Sequence, residues 1–196
     1  MDFTEVVMKR RMVRNFTEDP VVDSDLRKIL ELALHAPSAG FSQGWSYVVV
    51  REESTRKAVG RVQGEEEYGA GGFGNFISKA PVLIVVCASE DAYHKRYQES
   101  DKVNPDGTEI EWPTPYWIFD VGAATMIILL AAVDLGYSAA FTGSSDPNGI
   151  KNLLGIPREY HPVGVISIGK GAKDKKSPSL KRGRKPVDQV VHFEKW

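Results

Sequence analysis

The stretch Trp117-Ile118-Phe119-Asp120-Val121-Gly122-Ala123-Ala124-Thr125-Met126-Ile127-Ile128-Leu129-Leu130-Ala131-Ala132-Val133-Asp134-Leu135 decides the architecture of this chain. It predicts one long helix ended by Gly136. The helix is apolar on nearly every side, so it must be covered all round, and in a small domain that commonly takes a second subunit. The uncharged run Val121 to Val133 lies between Asp120 and Asp134. As a helix it spans only about 20 Å, short of the roughly 30 Å hydrocarbon core of a bilayer. A buried helix is expected, with no membrane partner.

Working outward from that helix, Pro81 opens Val82 to Cys87, apolar at nearly every position and therefore a central strand buried on both faces. Tyr47 to Val50, Tyr137 to Phe141 and Val163 to Ile168 are the other strands. Helices are expected from Phe3 to Met12, from an Asp23 cap to the Pro37 stop, over Glu53 to Val62, and from the Asp146-Pro147 cap through Leu154. Glu65 to Gly74 reads as a mobile acidic and Gly-rich loop. Residues 92–116 read as a lid or excursion, and 170–196 as a C-terminal extension. The pattern predicts a single α+β domain over residues 1–196.

Composition narrows the function. With 25 Lys+Arg against 26 Asp+Glu, the 196-residue chain has a formal net charge of −1, which argues against nucleic acid as a partner. The 42% hydrophobic content suits a folded globular chain. The one cysteine, Cys87, can form neither an internal disulfide nor a Cys-rich zinc site, and with no recognisable targeting segment a cytoplasmic location is expected. The four histidines are scattered without metal-ligand spacing, so no metal is expected. Gly69-Ala70-Gly71-Gly72-Phe73-Gly74 matches G-x-G-x-x-G literally, but it follows acidic residues rather than a strand and is read as a loop. Chemistry from an added cofactor fits better than covalent or metal catalysis.

Two basic clusters stand at opposite ends of the chain, Arg10-Arg11-Met12-Val13-Arg14 and Lys181-Arg182-Gly183-Arg184-Lys185. On a helix Arg10 and Arg14 would share a face and repel, an arrangement that makes sense around a bound anion such as phosphate. Pro37-Ser38-Ala39-Gly40-Phe41-Ser42-Gln43 is a loop whose backbone N–H groups suit a flat polar heterocycle. Thr142-Gly143-Ser144 is a second polar loop, at a strand end where ligands often bind.

Together with Ala80 to Val86, Ala131 to Gly136, Leu154 to Pro157 and Arg184 to Asp188, these segments resemble, in order and spacing, the FMN-dependent nitroreductase family. The resemblance implies a nitroreductase-like α+β fold with a central, mainly antiparallel sheet surrounded by helices. It implies an intertwined homodimer, with residues 170–196 packing on the partner subunit. It further implies that Arg10, Arg11, Met12, Arg14 and Arg184 bind the FMN phosphate and ribityl end, and that Pro37, Ser38, Ala39, Gly40 and Gln43 approach the isoalloxazine from the partner. Thr142, Gly143 and Ser144 would lie near the N5 edge or the ribityl chain, and Phe41, Tyr116 and Trp117 would shape the substrate pocket. Met12 stands where most relatives carry Ser, and Phe41 and Gly44 replace the usual Asn and Pro.

The implied activity is hydride transfer from NAD(P)H, or another reduced donor, through FMN to a small aromatic or conjugated acceptor such as a nitroaromatic or quinone. No catalytic side chain is required. Backbone N–H groups around Ser38 to Gly40 and an arginine would stabilise charge on the reduced ring. A specialised reductive dehalogenase, a flavin-fragmenting enzyme and a non-catalytic flavin-binding or redox-sensing protein are the alternatives.

Overall fold

A computed structural model describes residues 1–196. Its sheet is built on strand β2 (Val82–Ala88), which pairs antiparallel with β1 (Trp45–Val50) on one side and β4 (His161–Gly169) on the other. Strand β3 (Ser138–Gly143) pairs antiparallel with β4, giving the order β1-β2-β4-β3. Every residue of β2 is buried, as its unbroken apolar run requires.

Alternation along β2 divides the core. Val82, Ile84, Val86 and Ala88 point to one face, where α2 (Asp23–Ala33) contributes Leu26 and Ile29, and α7 (Tyr116–Asp134) contributes Val121, Ala124 and Ile128. Leu83, Val85 and Cys87 point to the other, against Val59 of α3 (Glu53–Val62), Phe76 and Ile77 of α5 (Phe76–Lys79), and Ile150 of α8 (Pro147–Leu154). The α8 cap forms as expected: Asp146 accepts the Gly149 N–H at 2.9 Å, and Gly155, at φ +64°, ends the helix. Helix α7 is apolar and long enough by composition to cross a membrane, yet one face packs on the sheet and α2. Its opposite side leaves Phe119 68% and Met126 44% exposed.

Four local expectations are corrected. Helix α1 (Phe3–Lys9) stops three residues before Met12, because Met12 bridges Ala139 of β3 in parallel and draws the chain into extended conformation from Arg10 onward. Arg10 and Arg14 therefore do not share a helix face. Asp23 is not a cap: Val22 precedes the helix, and Asp23 ion-pairs with Arg51. Glu65 to Gly74 is not simply a loop. It opens with α4 (Glu65–Ala70), whose Glu65 is 5% exposed and accepts the Ile77 and Ser78 N–H groups at 2.6 and 2.8 Å. The 92–116 excursion begins in helix α6 (Glu90–Tyr97), and only its later part is irregular. All residues from 178 to 196 are exposed, including Val187, Phe193 and Trp196.

Candidate functional site

Residues 13–17 run antiparallel to 170–174, and this pairing brings the two basic ends of the chain together. Phe16 bridges Gly171, the Thr17 N–H donates to the Lys170 carbonyl at 2.9 Å, and the Ala172 N–H donates to the Asn15 carbonyl at 3.0 Å. Asn15 Nδ2 donates to the Lys173 carbonyl at 2.8 Å, and the Arg14 N–H donates to Asp174 at 3.0 Å. The result is a cleft of about 670 Å³ walled by Arg10, Arg11, Arg14, Lys175, Lys176 and Arg184. That size lies within the usual range for small-molecule sites.

The charge in this cleft is poorly balanced. Asp174 is its one carboxylate, 3.6 Å from Arg11. The Arg14 guanidinium lies over the Phe73 ring at 5.1 Å and the Phe76 ring at 6.0 Å, held by cation–π attraction rather than by an acid. Lys175 donates to the Gly71 carbonyl at 2.9 Å. Arg10, Lys176 and Arg184 make no ion pair. Six cations and one acid line this partly enclosed space, and such a donor set is chemically suited to a multiply charged anion, the phosphate of a mononucleotide among them. Met12 lines the same cleft, with its sulfur accepting the Phe141 N–H at 3.4 Å.

Thr142, Gly143 and Ser144 are not among the cleft-lining residues; they form the end of β3 and the turn after it. Ser144 Oγ is buried without a partner there, and so is Nε2 of Gln63, whose Oε1 accepts the Ser145 N–H at 3.0 Å. These orphaned groups on neighbouring residues give this turn unused hydrogen-bonding capacity.

The Pro37–Gln43 loop lies apart from the arginines, against α6 and the start of α7. Gly40 has φ +61°, and a Cβ there would sit 2.5 Å from the Tyr97 ring. Phe41 and Gln43 also adopt left-handed φ values, 60° and 50°, conformations that cost about 1–3 kcal/mol each and persist only when the surroundings impose them. The Ala39 N–H donates to Asp120 at 2.8 Å, and the Phe41 N–H donates to the Ser38 carbonyl at 2.9 Å. The Gln43 N–H donates to Ser38 Oγ at 3.0 Å. Of the backbone donors expected to face a ligand, Ala39 is thus already engaged, whereas the Ser38 and Gly40 N–H groups have no protein acceptor. Phe41 is 72% exposed and Tyr116 40%. Trp117 instead packs edge-on within a cluster containing Tyr93 and Trp112, at 6.0 and 5.9 Å. Gly44 has a structural reason: a Cβ would strike the Tyr93 ring and lie 2.7 Å from the Ser89 carbonyl oxygen.

Other groups offer less chemistry. Burial pushes the Cys87 thiol up to about 11, as suits an inert core residue. A groove of about 630 Å³ between α2 and β1 is lined chiefly by Leu26, Leu30, Leu34, Tyr47 and Val49, and burial pushes the Tyr47 phenol up to about 12. Sequence reasoning missed Lys175 and Lys176, although Lys173-Asp174-Lys175-Lys176 is visibly charged. It also missed Asp120 and Phe73. A lone acid interrupting an apolar helix was a readable signal for Asp120, but nothing local marked Phe73.

The nitroreductase family model matches residues 7–170. A protein of Archaeoglobus fulgidus, provisionally named NADH dehydrogenase/NAD(P)H nitroreductase, is 31% identical over 196 residues, covering 98% of this chain and 97% of its own. A Thermus thermophilus NADH dehydrogenase is 28% identical over 97% of this chain and 95% of its own. Among solved structures, a nitroreductase family protein of Streptococcus pneumoniae TIGR4 superposes with a TM-score of 0.76 at 24% identity, over 97% of this chain and 99% of the other. An FMN-dependent nitroreductase of Clostridium difficile R20291 gives 0.73 at 23% identity, over 99% and 100%. The family match over most of the sequence, with a near-full-length relative, establishes that this chain belongs to the nitroreductase family.

Proposed function

We propose that this protein is a cytoplasmic FMN-dependent oxidoreductase that takes hydride from NAD(P)H and reduces electron-poor acceptors such as nitroaromatics or quinones. The observation that carries this reading is the convergence of two basic segments, distant in sequence, on one cation-rich cleft. The names of the relatives, NADH dehydrogenase and NAD(P)H nitroreductase, support the reaction class. The FMN named for the Clostridium difficile neighbour supports the cofactor.

In this reading Arg10, Arg11, Arg14 and Arg184 bind the phosphate, and Met12 packs against the ribityl end. Thr142, Gly143 and Ser144 border the ring. Pro37, Ser38, Gly40 and Gln43 reach it from a partner protomer, with the free Ser38 and Gly40 N–H groups as donors and Ala39 contributing backbone shape. Phe41 and Tyr116 border the acceptor's entrance. Bound FMN supplies the hydride chemistry. The chain's own residues orient it, exclude water and stabilise negative charge on the ring, so no side chain need serve as acid or nucleophile.

The whole chain acts as one domain and works as a homodimer. The exposed face of α7 and the apolar residues of the 178–196 tail are the surfaces a second copy would cover. The test is a visible spectrum of the purified protein, followed by anaerobic titration with NADH and NADPH. A flavin spectrum bleached by either donor is the expected result. A colourless protein that fails to take up added FMN overturns the proposal.

A further inference from the structure

Asp120 is 5% exposed near the start of α7, the one acid in the helix before its terminal Asp134. One of its oxygens, Oδ2, accepts two hydrogen bonds, from the Ala39 N–H at 2.8 Å and from the Tyr93 hydroxyl at 2.7 Å. Tyr93 is itself wholly buried. One residue along the loop, the Gly40 carbonyl accepts from Arg96 Nε at 2.8 Å. Arg96 is locked in turn by Asp101, whose two oxygens accept at 2.7 and 2.6 Å. The hydrogen bond from Arg96 draws the Asp101 carboxyl down to about 2. The Ala39–Gly40 segment is thus held through its two flanking peptide units, the Ser38–Ala39 unit by Asp120 of α7 and the Gly40–Phe41 unit by Arg96 of α6. The left-handed residues Gly40, Phe41 and Gln43 lie within or just beyond this grip.

We propose that Asp120 is a positioning residue, which with Arg96 fixes the Ser38–Gln43 loop so that its Ser38 and Gly40 N–H groups stay free to bind the electron-rich edge of a reduced flavin. This rests on the proposed function for the identity of the ligand. The clamp itself rests only on the hydrogen bonds above. Donors held in place ahead of the reaction favour the more negative form of the ligand, so loosening them weakens binding of reduced flavin more than binding of oxidised flavin.

The test measures dissociation constants for oxidised and reduced FMN, and the two-electron midpoint potential, in Asp120→Ala, Asp120→Asn and Arg96→Ala. Asp120→Ala should lose about ten-fold more affinity for reduced than for oxidised FMN, a fall of about 30 mV in potential. Asp120→Asn keeps an oxygen able to accept both hydrogens and should restore most of that shift. Arg96→Ala should move the potential in the same direction, and it carries the test if Asp120→Ala does not fold. A folded, flavin-loaded variant with an unchanged potential overturns the positioning role. So does an Asn variant as impaired as Ala. In flavin-free protein, hydrogen exchange at the Ala39 amide should speed at least ten-fold in Asp120→Ala, about the factor expected when a well-formed hydrogen bond opens. If wild-type protein takes up no FMN, the functional reading fails. Exchange at Ala39 then decides the clamp separately, and an unchanged rate overturns it.

Discussion

Arg14→Ala and Arg184→Ala probe the cleft with unequal expected effects. A charge-assisted hydrogen bond to phosphate contributes about 1.5–3 kcal/mol, or roughly ten- to a hundred-fold in affinity. Arg184 is exposed and makes no ion pair, so its side chain must be ordered on binding, and its loss should fall near ten-fold. Arg14 is held over Phe73 and Phe76 before any ligand arrives. Its geometry is already set, so its loss should approach a hundred-fold. The assay is quenching of flavin fluorescence at constant ionic strength, because added salt screens these charges. Riboflavin, which lacks the phosphate, is the control and should bind each variant as it binds wild type. Two outcomes refute the reasoning: FMN affinity within two-fold of wild type in both variants, or an equal loss for riboflavin, which would mean that the arginines serve the fold rather than the phosphate.

Other expectations concern the supports of this site. Glu65→Ala strands two backbone N–H groups, that of Ile77 in the core, and should cost about 3–5 kcal/mol in chemical denaturation at fixed protein and flavin concentration. Glu65→Gln, which can still accept, should cost far less, and equal losses would argue against the capping role. Gly44→Ala should destabilise by about 1–3 kcal/mol through collision with the Tyr93 ring and the Ser89 carbonyl, and an unchanged melting temperature would refute that packing. His94 Nδ1 lies 2.6 Å from Glu109, and this hydrogen bond raises the pKa of His94. The contribution of the charged pair is therefore complete below the unfolded histidine value of about 6.5 and is lost as pH rises through the higher folded value. Hydrogen-exchange protection in residues 98–115, taken relative to the intrinsic exchange rate at each pH, should fall over that interval, and His94→Gln should flatten the response. Wild-type protection that does not change with pH would count against this role of the His94–Glu109 pair.

The elements most legible in the sequence are those whose cause is local. The unbroken apolar run gives β2, the Asp146-Pro147 signal gives α8, and the extreme apolarity of α7 marks it as a core helix. Boundaries set by distant partners are not legible. Nothing in Arg10-Arg11-Met12 says that α1 must stop, since the cause is pairing of Met12 with Ala139. The acids of Glu65-Glu66-Glu67 look like solvent-facing residues, and only the fold turns the first of them inward to cap Ile77 and Ser78. At the candidate site the arginines could be named from their clustering. Their meeting depends chiefly on backbone bonds between residues 13–17 and 170–174, and the Asn15 and Asp174 side chains that support them have partners 158 and 160 positions away. The clamp on Ala39 and Gly40 escaped notice because Asp120 and Arg96 lie far along the chain from the loop they hold.

The sheet order carries a consequence for biosynthesis. Strand β2 lies between β1, which precedes it, and β4, which begins only at His161. At translation rates of about 5–20 residues per second, on the order of ten seconds separate the emergence of these two strands from the ribosome. Throughout that interval the most apolar strand of the nascent chain presents a bare edge to solvent, a known invitation to aggregation. Production of this protein should therefore depend on chaperones that shield the growing polypeptide until its last strand arrives.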